Sequence, residues 1–226
     1  FDIYRYKTAV KRVSFILWEK FMTYVQTVTG RIPAEKMGFT LPHEHIFWDL
    51  SFYLPKDLDK TDETDERKQP VCPENLAQMR YHLTDYPDNV VQQDESIALK
   101  ELLCYKQAGG VTICDNGCYG LKCDPVKLRD VSEKSGVYIL RGTGTYQDQT
   151  IPPEIAKLDV DALAALFIKE IREGIGDTGV RCGFIGEIGI VSSASERSMR
   201  SLAAAAIAQK ETHAAITIHQ PGLEHC

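Results

Sequence analysis

The sequence predicts an α/β protein, a parallel barrel of the TIM (β/α)8 type that is truncated after its fifth strand. Two observations carry this expectation. Short apolar, β-branched segments alternate with helical segments at roughly 30-residue intervals, the pattern of βαβ units and a parallel sheet. Three of those segments carry groups suited to binding a metal: His43 with His45, then Glu187, then His219. Strands that bring ligands to one rim describe a centre at the mouth of a parallel barrel. A complete barrel takes about 250 residues. This chain has 226, and its fifth strand ends at His219, so strands six to eight have no sequence.

The first strand lies in Gly38-Phe39-Thr40-Leu41-Pro42-His43-Glu44-His45. Alternate residues of a strand share a face, so His43 and His45 point together and Glu44 points away. Two neutral imidazoles on one face suit zinc or a similar divalent ion, although two ligands alone do not make a site. The stretch Asp57–Lys68 is densely charged and poor in apolar residues, hence a solvated loop. On a barrel it would rise beside the active site. Pro73 to His82 reads as a short helix. A stronger one runs from Asp94 to Ala108, with Ile97, Ala98, Leu102 and Tyr105 at helical spacing and Gly109-Gly110 ending it.

Val111 to Cys114 is the second strand. Asp124-Pro125 then opens a helix, as a cap followed by proline in the first turn. This helix turns Leu128 and Val131 inward and stops at Gly136. Val137 to Leu140 is the third strand, followed by Arg141-Gly142-Thr143-Gly144-Thr145-Tyr146. That glycine pair lacks the third glycine of a dinucleotide fingerprint, and a backbone turning sharply at a rim accounts for it. Asp161 to Glu173 is the clearest amphipathic helix, with Leu163, Leu166, Phe167 and Ile171 on one side. Gly183-Phe184-Ile185-Gly186-Glu187-Ile188-Gly189 is the fourth strand; a carboxylate inside so apolar a run needs a cation or hydrogen-bond donors beside it. Within Ser193–Lys210 an alanine-rich helix places Ala204 and Ala208 one turn apart, allowing close packing on a sheet. Ala215-Ile216-Thr217-Ile218-His219 is the fifth strand. His82 and His213 lie on or beside helices and read as surface or capping residues, and His225 lies in the tail.

Composition narrows the class. The net charge of −6 gives no sign of a nucleic-acid-binding surface. No apolar run approaches the roughly 20 residues that span a bilayer. The seven cysteines are odd in number and scattered, with spacings unlike the usual zinc patterns. They read as free thiols of a cytoplasmic protein, some buried as small hydrophobes. Residues 1–21 hold five basic and two acidic residues and read as an extension ahead of a natural start at Met22, leaving 22–226 as the N-terminal part of the barrel.

The motifs VQTVTGRIPAEKMGFTLPHEH, GGVTICDNGCYGLKCDP, VYILRGTGTY, GFIGEIG and AAITIHQPG, in this order, resemble the phosphotriesterase-related family of the amidohydrolase superfamily from about Val25 onward. The resemblance implies a metal-dependent hydrolase with two divalent ions, zinc being the expected one. The family's H-x-H pair, bridging residue and strand-five histidine match His43, His45, Glu187 and His219. The best-known phosphotriesterases carry a carboxylated lysine at the bridge. Glu187 stands there in this chain, which resembles the phosphotriesterase-homology branch instead. The resemblance also implies a substrate-side role for Tyr146. The family's strand-six histidine and strand-eight aspartate, the latter a ligand and proton acceptor, have no counterpart in the sequence, so no catalytic residue is assignable. The expected function is hydrolysis of an ester, lactone, amide or phosphoester bond in a small molecule by water activated on one or two metal ions. The alternative is a truncated, inactive metal-binding protein or interaction partner. A sheet of five strands leaves its outer strands unpaired, which favours self-association; a homodimer is among the expected partners, whereas nucleic acid and membrane are not.

Overall fold

The computed structural model describes residues 23–190 and 195–220. The expected extension over residues 1–21, the first residues of the predicted 193–210 segment and His225 lie outside the described residues. A hairpin comes first: β1 (Tyr24–Thr27) pairs antiparallel with β2 (Gly30–Pro33). Its turn is held by Thr27 Oγ1, which donates to the Gly30 carbonyl at 2.7 Å. Val28 N–H donates to the Ile139 carbonyl at 2.8 Å, and the Val28 side chain is buried with Val137, Ile139 and Val180. Sequence reasoning did not find this hairpin, because each strand has only four residues and neither shows a clear alternation.

The main sheet contains β3 (Thr40–Glu44), β6 (Thr112–Asp115), β7 (Tyr138–Thr143), β8 (Phe184–Gly189) and β9 (Ile216–His219), in that order and all parallel. This is the curled parallel sheet of a half-barrel, as the alternation of strands and helices predicts. A minor pair, β4 (Trp48–Asp49) with β5 (Val91–Gln92), closes the long excursion after β3. Inside that excursion are the short helices α1 (Leu76–Tyr81) and α2 (Pro87–Val90). The charged loop is less open than its composition suggests. It contains 3-10 turns at Leu58–Lys60 and Glu66–Lys68, and Arg67 grips Asp65 at 2.7 Å.

The larger helices are α3 (Glu95–Gln107), α4 (Pro125–Ser135), α6 (Val160–Arg172) and α7 (Glu196–Thr212), with the single turn α5 (Pro153–Ala156) ahead of α6. Asp124 caps its helix as expected, and α6 begins slightly earlier than the predicted Asp161, behind a cap at Asp159. Asp94, Asp124 and Asp159 each accept hydrogen bonds from first-turn N–H groups, and Gly136 ends α4 in the left-handed conformation. His213 ends α7 the same way, a capping role consistent with its place in the sequence. Leu163 and Phe167 of α6 pack with Ile185 and Ile188 of β8 and with Ala204, Ala205 and Ala208 of α7; the alanines let α7 lie close against the sheet. The amphipathic pattern of α6 hides one exception. Glu170 is buried and accepts from Tyr119 OH and Thr143 Oγ1, both at 2.5 Å. On α3, Ile97 stays 53% exposed although Ala98 and Leu102 are buried. It borders a cavity of about 390 Å³ on the outer side of β3, which Leu41, Glu44, Leu102 and Tyr105 also line. No helix among the described residues is long and apolar enough to cross a membrane.

Candidate metal centre

The register of the parallel strands brings the chemistry to one rim. Glu44 of β3 sits opposite Asp115 of β6, and Gly189 of β8 sits opposite His219 of β9. His43 lies within β3 and His45 one residue past its end, where the alternation still turns both rings to the same side. Their Nε2 atoms are 3.4 Å apart, with the rings in an edge-to-face arrangement. Glu44 turns away, as predicted, and takes the His45 N–H at 3.0 Å.

Close backbone approach places Glu187. A Cβ on Gly142 would collide with the Gly186 carbonyl, and one on Gly186 would collide with Thr217 Oγ1. Gly186 also has a φ of +134°, which side-chain-bearing residues rarely adopt. These glycines therefore let β7, β8 and β9 close up, and Glu187 enters the interior fully buried. His45 Nε2 lies 3.2 Å from Glu187 Oε1, while His43 Nε2 and His219 Nδ1 lie 3.5 and 3.6 Å from Oε2. Proximity here is not hydrogen bonding: neither carboxylate oxygen has a partner of proper geometry, and His45 Nδ1 is likewise buried without one. An unsatisfied buried carboxylate ringed by imidazole nitrogens fits a cation better than a proton-mediated network.

The spacing fits as well. Ligand atoms about 2.0–2.1 Å from a tetrahedral zinc lie roughly 3.3–3.4 Å from one another. The contacts among His43, His45 and Glu187 fall at 3.2–3.5 Å, and these three residues form one mutually close group of potential ligand atoms. His219 joins that group through Glu187, which thus stands between the histidine pair and His219.

Electrostatics follow the geometry. Burial pushes the Glu187 carboxyl up, but the contacts of His219 and His45 outweigh it and hold the group at about 2. Burial would lower His45, yet Glu187, with smaller help from Asp115 and Glu44, leaves it raised above 6.5. Tyr146, buried against His219 with ring centroids 4.8 Å apart, keeps its phenol proton: burial and the nearby Glu187 charge both push its pKa up. Its OH lies 3.3 Å from His219 Nε2. Cys118 donates Sγ–H to the Glu187 carbonyl at 3.3 Å, and burial raises its pKa well above normal, so it is an inert thiol.

Four further residues shape the rim and escaped the sequence reading. Asp115 accepts the Ile46 and Gly117 N–H groups, both at 2.8 Å, fixing the backbone just after His45. Its position at the end of an apolar strand was a usable signal, the same one that marked His219. Asn116 receives the Thr217 hydroxyl at 2.9 Å, tying β6 to β9. Gln147 Nε2 lies 3.3 Å from His219 Nε2, and Tyr53, from the loop after β3, hydrogen-bonds to Gln147 Oε1. No periodicity or motif marks Tyr53 or Gln147.

The sequence matches the Phosphotriesterase family over residues 23–224. The chain belongs to the Phosphotriesterase family. This is a family of metal-dependent hydrolases, in keeping with the cluster at the rim. A phosphotriesterase-related protein from Nematostella vectensis is 34% identical over 199 residues, covering 87% of this chain and 57% of that protein. An N-acetyltaurine hydrolase from Danio rerio is 32% identical over 202 residues, covering 89% of this chain and 57% of that protein. Among solved structures, a resiniferatoxin-binding protein from Rhodobacter sphaeroides superposes with a TM-score of 0.82 at 33% identity, covering 88% of this chain and 55% of that one. The chain thus spans little more than half the length of these Phosphotriesterase-family relatives.

Proposed function

We propose that this chain serves a metal-dependent hydrolase that cleaves the amide bond of a small N-acyl compound, with His43, His45, Glu187 and His219 holding two divalent ions, zinc foremost. The observation that carries the reading is Glu187: a buried carboxylate, ringed by three imidazoles, whose oxygens have no hydrogen-bond donor. The preference for an amide over an ester or phosphoester draws on relatives named N-acetyltaurine hydrolase. Bound there, the ions would supply a water of lowered pKa and polarise the scissile carbonyl.

The protein side of the mechanism rests on charge and placement. Glu187 would offset part of the metal charge from a buried position, where electrostatic interactions are strengthened, while His43 opens the site to solvent. His43 and His45 present Nε2 from one strand end, with Asp115 fixing the backbone that follows. Tyr146, which retains its phenol proton beside His219, would donate a hydrogen bond to a substrate oxygen. Asp115 is fully buried and takes a backbone N–H on each oxygen, a role in fixing the rim.

Dialysed protein carrying the complete barrel, assayed with and without added zinc against N-acyl amino compounds, lactones and phosphotriesters, tests the proposal. Zinc-dependent release of amine from an N-acyl compound is expected. Zinc binding without turnover on any of the three classes leaves a metal-binding chain and removes the hydrolase; a chain that binds no zinc removes both readings.

A further inference from the structure

We propose that Gln147 is a positioning residue for His219 and that Tyr53, from the loop after β3, locks Gln147 in place. The inference rests on the reading of His219 as a metal ligand. His219 turns Nδ1 toward Glu187 at 3.6 Å and Nε2 away from it, toward Tyr146 OH and Gln147 Nε2, each at 3.3 Å. An imidazole that ligates through Nδ1 carries its proton on Nε2, and that proton needs an acceptor to fix the tautomer and the ring plane. The Gln147 carboxamide supplies one. Its two ends are equal in size, so a half-turn of the amide, matched by a half-turn of the Gln149 amide that contacts it, presents Oε1 to His219 and Nε2 to the Tyr53 oxygen and to Gln149 Oε1.

The amide is not free to drift. Tyr53 OH bonds to it, and Gln149 Nε2 reaches Gln147 Oε1 at 3.1 Å and Tyr53 OH at 3.4 Å. Tyr53 stands in the 3-10 turn Ser51–Tyr53, whose Leu50 N–H bonds to the Val90 carbonyl at 2.8 Å. The array therefore joins the long excursion between β3 and α3 to the ligand on the far edge of the sheet, β9. A change in that loop is transmitted to the orientation of His219 through two hydrogen bonds.

The test uses the full chain and zinc alone. Gln147→Met keeps the length and removes the hydrogen bond, Gln147→Glu keeps an acceptor, and Tyr53→Phe removes only a hydroxyl. Zinc affinity is measured by chelator competition, and the tautomer of His219 by imidazole 15N shifts of the metal-free chain, where no ion fixes it. Gln147→Met is expected to weaken zinc binding about 10–100-fold and to erase the single-tautomer signature of His219. Gln147→Glu should restore both, and Tyr53→Phe should move both in the same direction by less. A purely structural role would lower the unfolding temperature and leave the tautomer unchanged. The inference is overturned if His219→Ala loses zinc while Gln147→Met and Tyr53→Phe retain wild-type affinity and a fixed tautomer. If His219→Ala itself keeps full zinc content, the ligand assignment fails instead, and by a separate result.

Discussion

Replacing Glu187 with glutamine isolates the charge at the centre of the cluster. The side chain keeps its size in a site with no solvent exposure, so packing around Ile185 and Ile188 is preserved. The magnitude follows from how strongly the cluster already favours negative charge there. The carboxyl falls from 4.5 to about 2 against the opposing cost of burial, a coupling of about 3 kcal/mol, or roughly 300-fold, between one carboxylate and the positive charge on the histidines. In the metal-free chain this stabilisation is present above 4.5 and is lost as the pH falls toward about 2. A divalent ion carries twice the charge of a proton, so the coupling sets a floor. Glu187→Gln should weaken zinc binding by at least about two orders of magnitude, and Glu187→Ala should do the same. Chelator competition gives the affinity, elemental analysis of dialysed protein the stoichiometry, and circular dichroism the fold. Zinc affinity within threefold of the wild type in both folded variants would refute the reasoning and make Glu187 a structural carboxylate.

Other outcomes follow from the same geometry. His45 is raised above 6.5, so its proton stabilises the metal-free fold below 6.5, loses that effect as pH rises through the folded value, and must leave before zinc binds. Zinc affinity should therefore fall by about tenfold per unit as pH drops through that value, and equal affinity at pH 6 and pH 8 would count against His45 as a ligand. Gly142→Ala sets a Cβ against the Gly186 carbonyl; it should cost about 1–3 kcal/mol by overpacking and reduce zinc content, read by urea unfolding and elemental analysis, and an unchanged midpoint would mean β7 and β8 can part freely. Asp115→Ala strands the Ile46 and Gly117 N–H groups, at about 1–3 kcal/mol each; Asp115→Asn should recover part of that loss, and equal denaturation midpoints for all three proteins would show that water replaces the carboxylate.

Much of this architecture is written locally. Capping aspartates, the glycine after α4 and the alternation of apolar strands with helices fix the elements and the parallel sheet, because backbone hydrogen bonding and side-chain periodicity act over a few residues. Periodicity also turns His43 and His45 to one side, and the cost of an isolated carboxylate in an apolar strand singles out Glu187 before any contact is known. What lay beyond reach were pairings across long separations. Asn116 meets Thr217, Tyr53 meets Gln147, and Glu170 finds Tyr119 and Thr143; each partner is an ordinary polar residue with no local signature. The short β1–β2 hairpin escaped for a related reason, since its place is set by Val28 meeting β7. Local patterns in the sequence were enough to mark the five strands of the main sheet, the longer helices and which residues carry charge or a lone pair. It took the folded chain to bring three imidazoles to within 3.2–3.6 Å of the oxygens of one buried carboxylate, because those distances depend on the register of β3, β8 and β9 and on glycines whose missing side chains let those strands close.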